Sequence, residues 1–159
     1  MKAISTLASL CCALLPAIAS AQSDMHLHNP EHSAARNWNE ILLAAIRVDY
    51  ARPTVHARNL FHTSVLMYDA WSIFSGEADT YLMGDTGNSE LCALSDVQRE
   101  TFRNNEDPEA SASLAISYGM YKLLKQRFEI SPGAAITYQR MYNMADALSI
   151  DRNFDDADI

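Results

Sequence analysis

The chain has 159 residues, with 20 acidic and 12 basic side chains and a formal net charge of −8. This acidic balance argues against nucleic acid as a partner, because contacts to phosphates need clustered cations. Apolar residues make up 48% of the sequence, which is enough for the core of one domain of this size.

The first 21 residues have the pattern of a secretory signal peptide. A basic residue precedes an apolar run over residues 3–18, and Ala19 and Ala21 supply the small side chains that signal peptidase requires. The run is shorter than the about 20 apolar residues that span a bilayer, so we expect no membrane anchor. The sequence predicts a periplasmic or secreted protein that begins at Gln22 after cleavage.

Residues 22–35 are polar and rich in histidine, without periodicity, and are predicted to be a mobile tail. His26, His28 and His32 in this tail are the clearest metal candidates, because neutral imidazoles bind Zn²⁺ or Cu²⁺ well. A metal site also needs neighbouring groups that orient the ligands, and a tail does not supply them. We therefore favour a solvated tail over a metal site.

Two helices are predicted next, separated by a proline. Apolar residues recur at helical spacing over residues 36–50, and Pro53 cannot continue that helix but fits the first turn of another. The second helix is predicted over residues 54–75. Its apolar residues wrap more than one face, which is typical of a central helix, so we expect it to be the most buried element.

The rest of the chain predicts three further helices. Ser95 and Gln98 are spaced as a capping box that opens a short helix. Asp107 and Ser131 are each an N-cap acceptor followed by proline at the first helical position, so each predicts the start of a longer helix. No alternating β pattern of useful length is present. The predicted fold class is therefore all-α, a helical bundle over residues 36–159.

Near the end, Asp151, Asn153 and Asp155 space oxygen ligands as the start of a calcium loop does. The sixth position of that pattern is Asp156, where the sharp turn of a calcium loop needs glycine. An acidic loop is the favoured interpretation of this stretch.

Three polar residues of the second helix could carry chemistry. His62 and Asp69 are seven residues apart and share a face, with Arg58 one turn before His62. A histidine between an arginine and an aspartate could shuttle protons. No nucleophile accompanies the group, so we favour a polar stripe between packed helices. The chain also lacks G-x-S-x-G, H-E-x-x-H, G-x-G-x-x-G and phosphate-loop motifs, and we predict no complete catalytic site in it.

Four stretches of the first two helices carry a resemblance to a known family. They are Arg36-Asn37-Trp38-Asn39-Glu40, Ala45-Ile46-Arg47-Val48-Asp49, Ala51-Arg52-Pro53-Thr54-Val55-His56-Ala57-Arg58-Asn59-Leu60-Phe61-His62 and Met67-Tyr68-Asp69-Ala70-Trp71. They resemble the amino-terminal helices of bacterial vanadium-dependent haloperoxidase-like proteins, which are similar in fold to type 2 phosphatidic acid phosphatases. The resemblance implies an all-α fold built on helical bundles. It also implies vanadate as cofactor and peroxide-dependent halide oxidation in members with the full site.

The family blocks that hold vanadate, K-x6-R-P, P-S-G-H and S-R-x5-H, are missing from this sequence. Arg52-Pro53 is its single Arg-Pro pair, and Ala45 stands where the block has lysine. We therefore assign no catalytic, cofactor-binding or metal-binding residue by resemblance. The matched positions that the resemblance makes candidates for supporting the pocket are Trp38, Arg52, His56, Arg58, Asn59, His62 and Asp69.

The resemblance implies that the chain is the incomplete amino-terminal scaffold of an exported haloperoxidase-like protein, with the remainder of the parent chain as partner. A homo-oligomer stays open. The alternatives are a free-standing exported helical binding or interaction module without catalysis, and a fragment of a related acid phosphatase. Because the second helix is apolar around most of its circumference, we also expect exposed apolar surface and low stability of this piece alone.

Overall fold

A computed structural model describes residues 27–83, 94–104 and 106–153. These ranges contain five helices and no strand, which confirms the predicted all-α helical bundle. The helices are α1 (Ala34–Arg47), α2 (Pro53–Ser75), α3 (Asp96–Arg103), α4 (Pro108–Arg127) and α5 (Ala134–Ala147). None of the helices in the described ranges is both long and apolar enough to cross a bilayer.

Helix α1 begins two residues before its predicted start. Ser33 caps it, since the Ser33 hydroxyl accepts a hydrogen bond from the backbone N–H of Arg36 at 3.3 Å. The residues before the cap fold back onto the helix: Asn37 exchanges two 3.0 Å hydrogen bonds with the backbone of Asn29 and donates a third to the carbonyl of His32. The predicted tail therefore ends too late, because α1 takes in its last two residues.

The caps of α3 and α4 are those that the sequence predicts. The Ser95 hydroxyl accepts from the N–H of Gln98, and the Gln98 side chain accepts from the N–H of Ser95. Asp107 accepts from the N–H of Ala110 at 3.0 Å. Each side chain satisfies a backbone donor that has no partner within its own helix.

The predicted start of α5 is wrong. Ser131 does not cap the helix. Its hydroxyl accepts from the N–H of Gly133 within a turn, and α5 begins at the next residue, Ala134. The turn packs directly on the end of α1, where a Cβ on Gly133 would lie 2.3 Å from Cγ2 of Val48. This close approach, which a local capping pattern does not contain, sets where α5 starts.

The core lies between α1, α4 and α5. Its largest side chains have at most 1% of their surface exposed: Trp38, Ile41, Leu42, Met120, Leu124, Phe128, Met141 and Met144. The Trp38 ring packs edge-on against Tyr121 with centroids 6.4 Å apart. Burial of each large apolar side chain stabilises the fold by about 1.5–3 kcal/mol, so these residues dominate the stability of the bundle.

Helix α2 packs mainly on α4, and it has a mostly polar buried face and several large apolar residues on its exposed side. Its buried residues are Asn59, Thr63, Met67, Asp69 and Ser72. Its large exposed apolar residues are Leu60, Phe61, Tyr68 and Trp71. The expectation that α2 is the most buried element is therefore wrong, whereas the expected exposed apolar surface is present. Gly119 of α4 lets the two helices approach closely, because a Cβ at this position would lie 2.9 Å from Cδ2 of Leu66 on α2.

Candidate functional site

The polar residues at the junction of α1 and α2 converge on one carboxylate. The Asp49 side chain is 1% exposed, and Nη2 of Arg52 lies 3.2 Å and 3.4 Å from its two oxygens. His56 Nδ1 faces the same carboxylate at 3.9 Å, and the Ser131 hydroxyl hydrogen-bonds to it. We call these four residues the Asp49 clasp. It ties the α1–α2 junction to the turn between α4 and α5.

The geometry of the Asp49 clasp differs from that of a catalytic triad. His56 Nε2 lies 2.8 Å from the carbonyl oxygen of Tyr50, and because a carbonyl only accepts, Nε2 carries the proton and donates. The Ser131 hydroxyl bonds to the carboxylate, whereas a nucleophilic serine bonds to the imidazole. Arg52 also covers the Tyr50 ring, with its guanidinium carbon 5.3 Å from the centroid. The arrangement holds two turns together.

The charge of Asp49 is set by its neighbours. Burial raises the pKa of this carboxyl, but hydrogen bonds from the Tyr50 backbone N–H, the Ser131 hydroxyl and Arg52, together with the Arg52 charge, outweigh burial and leave the pKa below its ordinary value of 3.8. Asp49 is therefore ionised at neutral pH and acts as a fixed anion at the centre of the Asp49 clasp.

His62 and Asp69 share a face of α2, but each binds a different neighbour. His62 Nδ1 accepts a 2.8 Å hydrogen bond from Nη2 of Arg127 on α4. The Asp69 carboxylate accepts from the backbone N–H groups of Tyr81 at 2.5 Å and Leu82 at 2.9 Å, in the segment after α2. His62 therefore links α2 to α4, whereas Asp69 holds the segment that follows α2.

The remaining candidates of the matched segment are divided between core and surface. Trp38 is fully buried in the core, and Asn59 is buried on α2. Within the described residues, the Trp38 indole nitrogen and Asn59 Oδ1 are buried without a hydrogen-bond partner. Arg58 is exposed on α2. Among the described residues, none of the three is hydrogen-bonded to the Asp49 clasp.

The two predicted metal candidates are only partly within the described residues. His26 and Asp155 lie outside them. His32 Nε2 is paired with the Asn29 amide at 3.3 Å, and Asp151 accepts from the backbone N–H of Asn153 at 2.9 Å in a turn. In residues 27–83, 94–104 and 106–153 no three His, Cys, Asp or Glu side chains are grouped as metal ligands.

Two arginines at or beside the matched segment are engaged by other protein groups. An oxyanion pocket needs several uncommitted cations and hydrogen-bond donors. Arg52 is bound to the Asp49 carboxylate, and Arg127 donates to His62.

One open groove lies between the start of α1, the carboxyl-terminal half of α2 and the start of α4, with a volume of about 560 Å³. Its apolar lining includes Met67 and Ile116, and the rings of Tyr68 and Trp71 lie 6.0 Å apart at 49°. The sequence pattern suggests that these aromatic residues fill a core or interface, so the groove was not predicted.

Several residues of the site escape prediction for a physical reason. Asp49 lies three residues before Arg52, a local pairing that the sequence could have indicated. Ser131 contacts Asp49, and Arg127 contacts His62, although each pair is 65 or more positions apart in the sequence. No local pattern encodes such contacts, because they depend on how α4 and α5 dock.

Comparisons with known proteins found no matching family model, no similar curated protein and no similar solved structure. The class that the fold defines is an all-α helical bundle.

Proposed function

We propose that this chain is the amino-terminal helical scaffold of an exported, vanadate-dependent haloperoxidase-like protein. In this proposal the parent protein oxidises halide with peroxide, and the motifs that hold vanadate lie outside these 159 residues. The resemblance of the matched segment supports the family. The contacts of its polar residues support the scaffold role, because Asp49, Arg52, His62 and Asp69 each bind a structural neighbour.

One observation carries the proposal, and it is the orientation of α2. This 23-residue helix buries polar side chains and exposes large apolar ones. Leu60, Phe61, Tyr81 and Leu82 are 39–56% exposed, and the rings of Phe61 and Tyr81 pack edge-on at 6.3 Å. We call these four residues the Phe61 patch. Exposed apolar patches of this kind mark surfaces that bind another protein segment. In the proposal, the remainder of the parent chain covers the Phe61 patch.

The Phe61 patch also favours a second candidate function. A free-standing exported interaction module would use the same surface to bind a separate protein. A parent of the related acid phosphatase type would use the scaffold in the same way and hydrolyse a phosphomonoester instead of oxidising halide.

The test compares two expressed chains. One starts at Gln22 and ends at Ile159, and the other continues to the first stop codon in the reading frame. We expect the longer chain to bind vanadate and to brominate a phenol-red indicator with peroxide. The shorter chain should do neither, because the motifs that supply the cations and donors of the family's oxyanion pocket are missing from its sequence. Heat-killed protein is the control.

Each other outcome assigns the chain differently. A stop codon directly after Ile159, or bromination by the shorter chain, would overturn the proposal. A longer chain that hydrolyses p-nitrophenyl phosphate without oxidising bromide would identify the phosphatase parent.

A further inference from the structure

The groove beside α2 has a lining of mixed chemistry. Met67 and Ile116 are buried in its wall, and Tyr68 and Trp71 present rings that are 42% and 39% exposed. The Tyr68 hydroxyl donates to the carbonyl of Asp79 at 3.0 Å, which fixes the position of that ring. An aromatic pair held in place beside an apolar wall gives a ligand a preorganised surface.

The charged residues of the groove are all acidic. Among the described residues that line the groove, Glu77 and Glu109 are charged, and none is a lysine, arginine or histidine. Both carboxylates are exposed, and neither forms an ion pair with another described residue. Aromatic faces attract cations through their quadrupole, and carboxylates attract them by charge. The lining therefore favours a cationic ligand.

The amino-terminal ends of α1 and α4 also lie at the groove, and helix amino termini favour anions. Both ends already have acceptors of their own. Ser33 accepts from the N–H of Arg36, and the Asp107 carboxylate accepts from the N–H of Ala110. Asp107 and Glu109 together place two negative charges at the first turn of α4. These charges offset the positive end of that helix, so the groove still favours a cation over an anion.

We propose that this groove binds a small organic ammonium ion, with its alkylated head against the Tyr68 and Trp71 rings and its charge between Glu77 and Glu109. The volume of about 560 Å³ lies within the range of small-molecule sites. An inorganic cation would gain nothing from the apolar wall of Met67 and Ile116. This proposal does not depend on the identity of the parent protein, because every residue that it uses lies in the described part of this chain.

The experiment uses choline as the probe and 3,3-dimethyl-1-butanol, its neutral isostere, as the matched ligand control. Saturation-transfer NMR of the purified chain in about 0.15 M salt follows both ligands, so that diffuse attraction to the acidic surface is screened. We expect saturable choline binding and about tenfold weaker binding of the isostere, since the isostere has the same shape but no charge.

Matched variants locate the site. The double variant Glu77→Gln and Glu109→Gln should weaken choline binding about tenfold and leave the isostere unchanged. Glu129→Gln, in the segment after the opposite end of α4, should leave choline binding unchanged. Trp71→Leu should reduce the preference for choline over the isostere, with helix content checked by circular dichroism. The Gln substitutions are at exposed positions and keep side-chain shape, so they test binding without a large effect on folding.

Three results would overturn the proposal. The first is the absence of saturable choline binding. The second is equal affinity for choline and its isostere. The third is an effect of Glu129→Gln as large as that of the double variant, which would show that net charge alone attracts the cation.

Discussion

Large aromatic residues are buried in the core between α1, α4 and α5, but they are exposed on helix α2. In the core, Trp38 and Phe128 are fully buried, whereas Phe61 and Trp71 on α2 are 54% and 39% exposed. The buried side chains of α1, α4 and α5 are mainly large and apolar, whereas those of α2 are mainly small and polar, with Met67 as its buried apolar residue. Helix α2 therefore leaves much of its apolar surface exposed.

The largest expected effect is a difference in stability between alanine variants of two phenylalanines, one in the core and one on α2. Phe128→Ala should lower the free energy of unfolding by about 3–5 kcal/mol, because it opens a cavity in a fully packed core. Phe61→Ala makes the same chemical change at an exposed position and should cost less than about 1.5 kcal/mol, the worth of its ring contact with Tyr81. Urea unfolding followed by circular dichroism measures both. Equal losses in the two variants would mean that α2 is buried like the core.

The next effect concerns the turn between α4 and α5, which packs on the end of α1. Gly133→Ala should lower the free energy of unfolding by up to about 3 kcal/mol, because its Cβ would lie 2.7 Å from the backbone oxygen of Val48, which cannot rotate away. Gly119→Ala is the matched control. Its Cβ would meet the end of the Leu66 side chain, which can move, so the loss should be smaller. A larger loss at Gly119 would place the tighter contact between α2 and α4.

These two regions also differ in how far the sequence predicts them. Helical spacing indicates all five helix starts to within two residues, and the caps at Ser95 and Asp107 give the starts of α3 and α4 to the residue, because capping is a local hydrogen bond. Local sequence patterns do not determine the start of α5 or the exposed face of α2. They depend on Gly133 meeting Val48 and on how α2 packs against α4, where Leu66 lies on Gly119.

The sequence likewise indicates some residues of the site but not the contacts that depend on helix docking. The sequence names Arg52 and His56 but not the carboxylate that they share, since Ser131 and the docking of α5 complete the Asp49 clasp. The groove beside Trp71 is likewise invisible in the sequence, because three helices form it.

The Asp49 clasp should give α2 a dependence on pH. The pKa of Asp49 is lower in the folded chain than the ordinary 3.8, so its ionised form stabilises the fold above about pH 4. That stability is lost as the pH falls from about 4 through the lowered pKa. Asp49→Asn should cost about 1–3 kcal/mol at pH 7, where a buried charged hydrogen-bonding group is replaced.

Urea unfolding of both proteins between pH 2 and 7, on the order of one measurement per pH unit, tests this. The difference between wild type and Asp49→Asn should shrink as the pH falls below about 4. A difference that stays constant across this range would show that the carboxylate charge does not hold the Asp49 clasp together.

The chain carries two tryptophans, one in each region, and they test the central contrast most directly. Acrylamide quenching of the wild type reports on both Trp38 and Trp71, while Trp71→Phe leaves only Trp38. The structure predicts that Trp38, with 0% of its surface exposed, resists quenching, and that the quenchable emission of the wild type is lost in Trp71→Phe. If the emission of Trp71→Phe is quenched as strongly as that of the wild type, Trp38 is not buried and the contrast between core and α2 is wrong.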